Sequence, residues 1–351
     1  MLARRRAQGY PSSSSSSSSL MNTMNMMKPE RTPARFLHGN YFSRVINAHI
    51  NYHPGPSSRA EIRSQIVHSD SANANTDATL DAAIAELDDE YKRRATYEQR
   101  KLERVALYAS KYVRKLHDAY TLKPERDLAP ELVQAARDPG ILKRLPQRVR
   151  NVYKLPILTE QKCTAILQEL QNFNDACERN GWPRERPNSM NRHGLLLQEL
   201  GFAQEFLDPL VAIYIKPIAA ALFPDCGGDS LDSFRSFTVV YHPAKDDDEQ
   251  HDSTLAYHFD DSEVTLNVNL GEAGYEGGEV LFGGGKDDGH GHTTRSAVTL
   301  GVGEGILHRG SHCHEVATVT EKPRTNLVVW MRSEKVRRKS CPMCGSSTCF
   351  E

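Results

Sequence analysis

Two histidines and an aspartate are spaced so that one metal ion can take all three. His258 and Asp260 are separated by a single residue, and further imidazoles, His308, His312 and His314, follow some fifty residues on. Two imidazoles and one carboxylate are the ligand set of an open non-haem Fe(II) site, with three protein donors on one face and the remaining positions left for small ligands. Successive side chains of a strand alternate faces, so residues i and i+2 point the same way. The run Ala256 to Leu270 reads as a loop edge feeding a strand, which lets His258 and Asp260 share a face. The same alternation puts His308, His312 and His314 on one face, so periodicity does not choose the second imidazole. Arg324 lies ten residues beyond His314, in a segment that ends Asn326-Leu-Val-Val-Trp330. A guanidinium there can meet the distal carboxylate of a cosubstrate bound at the metal, because its planar fork gives two parallel charge-assisted hydrogen bonds.

The elements that must hold these residues are short strands with glycine turns. Phe237 to Tyr241, Glu263 to Leu270, Val280 to Phe282, Ala297 to Gly301, Gly305 to His308 and Asn326 to Met331 all read as strands, and Gly277-Gly278 marks a tight turn. Lys245 to His251 reads as a solvated acidic excursion, and Gly283 to Thr293 as a surface loop. Many short strands of this kind favour an antiparallel jelly roll. Helices precede them. Thr159 is an N-cap for a helix from Glu160 to Cys177, with Leu158 as its staple and Gly181 and Pro183 as its end. Phe206 to Phe223 reads as a second helix, bent by Pro217 near its middle. Pro187 to Asn191 is a turn-rich loop in which Asn188 and Asn191 hold the backbone or line a substrate entrance. From Ala78 apolar residues recur at three and four as far as Leu116, giving one long helix or two, packed along the barrel. Residues 121–157 read as a connector with one short helix near Leu132 to Ala136, and Phe36 to Tyr52 as a short strand or helix.

Several of these pieces, in this order, resemble the 2-oxoglutarate- and iron-dependent dioxygenase domain of prolyl and lysyl hydroxylases. They resemble more closely the oxygenase-domain proteins of the second type in that family. The matching pieces are residues 181–201, His258 to Val268, Gly277-Gly278, Leu307-His-Arg-Gly310, Asn326 to Trp330 and Cys341-Pro-Met-Cys344, a span from about Leu158 to Cys344. The resemblance implies an α+β chain with a double-stranded β-helix (jelly-roll) core buttressed by helices. It chooses His314 as the second imidazole, since the distal ligand there sits ten residues before the arginine, and so implies His258, Asp260 and His314 as iron ligands. Arg324 would hold the far carboxylate of 2-oxoglutarate, with Tyr241 and Asn267 also at the cosubstrate. The implied reaction is hydroxylation of an unactivated C–H of a protein or peptide side chain. It consumes dioxygen and 2-oxoglutarate, releases succinate and carbon dioxide, and uses L-ascorbate where oxidised iron must be restored. The competing readings are a non-catalytic binding or regulatory protein on the same fold and a cosubstrate-independent metalloprotein. The intact triad opposes the first and Arg324 the second.

Composition sets the outer bounds. With 351 residues and a formal net charge of −1, the chain holds one large domain plus appendages and shows no global pull toward nucleic acid. No apolar run is long enough for a membrane-spanning helix. The division reads as a targeting or disordered segment at 1–30, a mainly helical extension and connector at 31–157, the dioxygenase domain at 158–334 and a basic, Cys-rich tail at 335–351. Residues 1–30 contain an unbroken serine run, Ser12 to Ser19, with Arg4, Arg5, Arg6 and Lys28, a composition shared by disordered tails and organellar transit peptides. The scattered cysteines suit a reducing compartment, cytoplasmic or nuclear unless that segment directs the chain to an organelle. Cys341 and Cys344 have the spacing of half a zinc knuckle, with Cys349 as a third donor and a fourth still required; redox-active or plain exposed thiols are the alternative. The run Lys335-Val-Arg-Arg-Lys339 beside them reads as solvated surface. Substrate and oligomeric state are left open by the sequence.

Overall fold

The computed structural model describes residues 40–46, 48–66, 76–144, 149–244, 252–285 and 295–337. The expectations for residues 1–30, for the excursion at 245–251, for the glycine-rich stretch 286–294 and for Cys341, Cys344 and Cys349 lie outside the described residues.

Strands β1 (Asn40–Ser43) and β2 (Ala48–Asn51) form a hairpin. They are followed by β3 (Tyr153–Pro156), β4 (Ser233–Tyr241), β5 (Leu255–His258), β6 (Val264–Gly271), β7 (Glu276–Gly277), β8 (Val280–Gly285), β9 (Ser296–Val298), β10 (Glu304–Arg309), β11 (His312–Val316), β12 (Val319–Glu321) and β13 (Arg324–Arg332). One sheet has the order β3-β10-β6-β13-β4 and the facing sheet β5-β11-β8-β9, with every pairing antiparallel. The chain passes from sheet to sheet as it goes (β4, then β5, then β6, then β8), which is the winding of a double-stranded β-helix.

Side-chain alternation in β6 shows how this packs. All eight residues are buried. Val264, Leu266, Val268 and Leu270 enter the apolar core beneath the helices, while Thr265, Asn267 and Asn269 turn to the space between the sheets. β13 repeats the arrangement, with Leu327, Val329 and Met331 toward the helices. The helical layer over this face includes Glu160–Asn180, whose Cys163, Ile166, Leu170 and Phe173 are buried. Its start is capped as its sequence requires, the Thr159 hydroxyl accepting from the Lys162 N–H at 3.3 Å, and it stops at Gly181 with φ 64°.

Four expectations need correction. Phe206 to Phe223 is not one bent α-helix: Ala203–Leu207 and Leu210–Ile215 are wound in wider π-type turns, and only Lys216–Leu222 is α-helical. Pro217 stands in the first turn of that last piece, where a missing N–H leaves no carbonyl of its own helix unpaired. The connector holds three short helices, Pro124–Asp127, Pro130–Arg137 and Gly140–Arg144. It also holds β3, which pairs with β10 as an edge strand of the larger sheet, so the barrel begins before Leu158. Four residues are too few for alternation to announce a strand. The long helix is single, Asp77–Lys111, and only its last turns touch the main core, through Tyr108. Its first half, with Leu80, Ala83 and Leu87, seals a separate cluster against Tyr41, Ile50 and Tyr52 of the hairpin region and helix Ser58–Ile66. Lastly, the basic run beyond Glu334 is not all surface, because Arg337 is only 2% exposed.

Candidate metal centre

His258 closes β5 and His314 stands directly opposite it on β11. Their rings are 4.4 Å apart between centroids. Asp260 follows in a turn fixed by its own N–H, which donates to the Gly310 carbonyl at 2.9 Å. One donor atom from each of His258, Asp260 and His314 lies within 4.8 Å of the others, the one such grouping of three among the described residues. Asp260 and His314 are buried and His258 nearly so.

Hydrogen bonds decide which atoms face the centre. Nδ1 of His258 contacts the Ala256 carbonyl at 2.8 Å, and Nδ1 of His314 contacts the His312 carbonyl at 2.9 Å. A carbonyl only accepts, so both rings carry the proton on Nδ1 and present an Nε2 lone pair. Those Nε2 atoms stand 3.5 and 3.9 Å from Oδ1 of Asp260. The other oxygen, Oδ2, accepts from the Thr265 hydroxyl at 2.6 Å, and Thr265 is in turn 2.7 Å from the Ser262 hydroxyl. Burial alone would drive the Asp260 carboxyl upward, but the surrounding imidazoles outweigh it and hold the group well below the ordinary carboxylate range. His258 is raised, since burial lowers it less than the Asp260 carboxylate lifts it, while burial keeps His314 below the usual imidazole range. Two Nε2 lone pairs and one anionic oxygen on a common centre fit a divalent iron ion.

The rival histidines separate. They lie in one strand-turn-strand segment, and the turn at Gly310-Ser311 places His308 on β10 of the opposite sheet from His312 and His314. His308 nevertheless enters the same space: its Nδ1 contacts the Arg309 carbonyl at 2.8 Å, and its Nε2, 3.9 Å from Oδ2 of Asp260, has no hydrogen-bond partner. Burial, then the neighbouring His314, pushes it down to about 3. His312 turns away, with Nε2 2.8 Å from the Gly283 carbonyl.

Arg324 opens β13 opposite Tyr241, the last residue of β4. It is 1% exposed. The Gly278 carbonyl accepts from its Nη1, and its Nε has no partner. Its guanidinium carbon lies 5.5 Å from the Tyr275 ring and 5.9 Å from the Tyr241 ring. Burial lowers Arg324 from its ordinary value in spite of those phenols and Glu279. A buried guanidinium with a free N–H fits an incoming carboxylate. The diglycine explains how the arginine is seated. Gly277 and Gly278 have φ of 71° and 67°, and a Cβ on Gly277 would meet the Thr318 carbonyl at 2.1 Å. Asn267 faces the same interior and accepts from Nδ2 of Asn326. Asn188 does hold its loop, its Oδ1 accepting from the N–H groups of Met190 and Asn191 at 2.9 and 2.7 Å. Asn191 is buried beside the Tyr241 hydroxyl, which burial pushes up to about 12.

Sequence reasoning missed Thr265, Tyr275 and Arg337. A signal for Thr265 existed in the alternation Val-Thr-Leu-Asn-Val-Asn-Leu at 264–270. Alternate polar residues usually mean solvent on one face, and here they mean a polar interior.

Comparison with known proteins places these features in one lineage. Residues 233–333 match the 2OG-Fe(II) oxygenase superfamily, and residues 108–228 match the OGFOD2-like domain. The chain is 38% identical over 271 residues to the human "2-oxoglutarate and iron-dependent oxygenase domain-containing protein 2", covering 74% of each. It is 33% identical over 332 residues to the Xenopus tropicalis protein of the same name, covering 92% of this chain and 91% of that one. A more distant likeness, 29% over 143 residues, is to the Rattus norvegicus "Multifunctional procollagen lysine hydroxylase and glycosyltransferase LH3", covering 38% of this chain and 17% of that protein. With a jelly roll that brings a His-x-Asp pair, a distal histidine and a buried arginine into one interior, the chain belongs to the 2-oxoglutarate and iron-dependent oxygenase family, among the type-2 oxygenase-domain proteins.

Proposed function

We propose that His258, Asp260 and His314 hold the iron of this 2-oxoglutarate-dependent dioxygenase, that Arg324 takes the distal carboxylate of 2-oxoglutarate with Tyr241 and Asn267 beside it, and that the substrate is an unactivated C–H bond on a protein or peptide side chain. The observation that carries the reading is the convergence of three donor atoms within 4.8 Å of one another in the interior that also receives the buried Arg324. The name of the lysine hydroxylase relative supports the substrate class.

Iron and 2-oxoglutarate, held by these residues, would supply the oxidising chemistry, with one atom of dioxygen going to the substrate C–H and the other into succinate as carbon dioxide leaves. The chain's own residues do the rest. The Ala256 and His312 carbonyls lock the two imidazoles with Nε2 inward, so the donors need no reorientation on binding. Thr265 holds one oxygen of Asp260 and leaves Oδ1 for the metal. Arg324 stands where burial makes its charge expensive, and a carboxylate brought to it relieves that cost.

The test is an anaerobic titration of the metal-free protein with Fe(II) and 2-oxoglutarate, followed by visible absorption. The expected result is a weak metal-to-ligand charge-transfer band, absent in Asp260→Ala. Iron binding without any band would overturn the cosubstrate assignment, and an unchanged band in Asp260→Ala would overturn the ligand assignment.

A further inference from the structure

The turn that carries Asp260 is clamped from behind by two arginines, Arg332 and Arg337, the second of which lies beyond the oxygenase match at 233–333. Arg337 lies in the C-terminal helix Glu334–Arg337 and is almost fully buried. Its Nε donates to both oxygens of Glu263, at 3.0 and 3.1 Å, and its Nη1 donates to Oδ1 of Asp261 at 2.8 Å. Arg332, from the end of β13, takes Oδ2 of Asp261 at 2.6 Å and the Asp261 main-chain carbonyl at 3.0 Å. Backbone bonds close the frame: Glu263 N–H donates to Met331 at 2.9 Å, and Gly310 N–H donates to Glu263 at 3.1 Å. The Ser333 N–H also donates to the Glu263 carboxylate. Two carboxylates thus meet two guanidiniums at positions 261, 263, 332 and 337, immediately beside the metal carboxylate at 260.

This set is more than a surface ion pair. Glu263 and Arg337 are both buried, and both sit on or against the four residues that separate Asp260 from its hydroxyl partner Thr265. A carboxylate ligand gains affinity when the backbone beneath it is already fixed, because less freedom is lost on binding. We infer that Arg337 is a positioning residue for the metal site: by gripping Asp261 and Glu263 it fixes the turn that aims Asp260, so the start of the C-terminal segment and the metal centre act as one unit. The inference rests on the assignment of His258, Asp260 and His314 as the metal ligands.

The experiment measures Co(II) affinity and the Co(II) d–d spectrum of the full chain under anaerobic conditions. Four variants are compared with wild type: Arg337→Met combined with Glu263→Gln, which removes both charges of the buried pair; Arg337→Lys; Asp260→Ala; and Leu132→Ala, a core truncation in helix Pro130–Arg137 that leaves every member of the ion-pair set in place. The double variant is expected to bind Co(II) about tenfold more weakly, the lower end of the cost of losing an outer-shell partner, with an altered d–d spectrum. Arg337→Lys, which keeps the charge but loses the fork, is expected to weaken binding about threefold, and it decides the question if the double variant does not fold. Leu132→Ala is expected to lower Tm and leave affinity and spectrum at wild type. Wild-type affinity and spectrum in both Arg337 variants, with metal lost in Asp260→Ala, would overturn the clamp alone. Metal retained in Asp260→Ala would overturn the ligand assignment beneath it. An equal loss in Leu132→Ala would reduce Arg337 to a stability residue.

Discussion

Two arginines, Arg104 and Arg324, are buried to nearly the same degree and could hardly be treated more differently. Arg104, on the long helix, is gripped by Glu199 through a fork of two bonds at 2.8 Å each, with Glu185 at 3.2 Å. The Glu199 carboxylate raises Arg104 above its ordinary value. Arg324 has a main-chain carbonyl and two phenol rings for company, an unpartnered Nε, and a value lowered by burial. The first charge is complete within the fold and joins the long helix to the loop region at 185–199. The second is held where burial makes its charge costly, a cost that the proposed cosubstrate carboxylate would relieve. Burial of a charge therefore does not by itself mark a functional residue, whereas burial without its counter-charge does.

This comparison breaks most sharply under truncation. Arg104→Ala leaves the Glu199 carboxylate buried and unpaired, and is expected to cost about 3–5 kcal/mol of stability in urea unfolding, with cosubstrate affinity of the folded protein unchanged. Arg324→Met should do the reverse. It removes an uncompensated charge at similar volume, so stability is expected to stay within about 1 kcal/mol of wild type or to rise. The affinity for 2-oxoglutarate, titrated on the metal-loaded protein, is expected to fall by about 2–5 kcal/mol, while metal binding persists. A stability loss in Arg324→Met as large as that in Arg104→Ala would make Arg324 a second structural arginine.

A smaller effect concerns the inner face of β6. Thr265→Val keeps the branched shape and deletes the hydroxyl that holds Oδ2 of Asp260. Metal affinity is expected to drop about 10- to 100-fold by calorimetry, and 2-oxoglutarate affinity at saturating metal to change little. An unchanged metal affinity would mean that the Asp260 turn is held by its backbone and its arginine clamp alone.

How much of this was legible depends on the range of the interaction. The caps at Thr159 and Gly181 follow from local chemistry, and the structure puts them where those rules lead. His258 and Asp260 do converge, but through a turn beyond the end of β5 and not through alternation along one strand. Sheet exchange is different. Alternation alone cannot tell that the chain turns at Gly310 and that His308 and His314 face each other from opposite sheets, since a strand and a strand-turn-strand share the same period. The roles of Tyr275 and Arg337, and the carboxylate that the polar alternation at Thr265 serves, were hidden for a related reason. Each acts through a partner on a separate segment, or across a chain reversal that local periodicity does not reveal, and their residue types also suit exposed positions. Pro217 misled because its sequence position was read as the middle of a helix that in fact restarts there.

The smallest expected effect carries the arginine contrast over to the imidazoles. His258 is raised because its Asp260 partner outweighs burial, whereas His314 and His308 are lowered by burial. Below the raised value of His258 the metal-free site therefore carries an added proton on that ring, while His314 and His308 are held toward their neutral forms and Asp260 toward its carboxylate. A metal ion must displace that proton to reach Nε2. The sign follows: below the raised value of His258, affinity should climb about tenfold for each unit of rising pH, and above it the curve should flatten. Co(II) titrations in two buffers of different ionisation enthalpy check the same point, since one proton should leave per metal below the raised value of His258. Release of two protons would mean that burial does not keep His314 neutral. An affinity that does not change with pH would mean that the proton on His258 is not in the metal's way, and His258 would lose its place among the ligands.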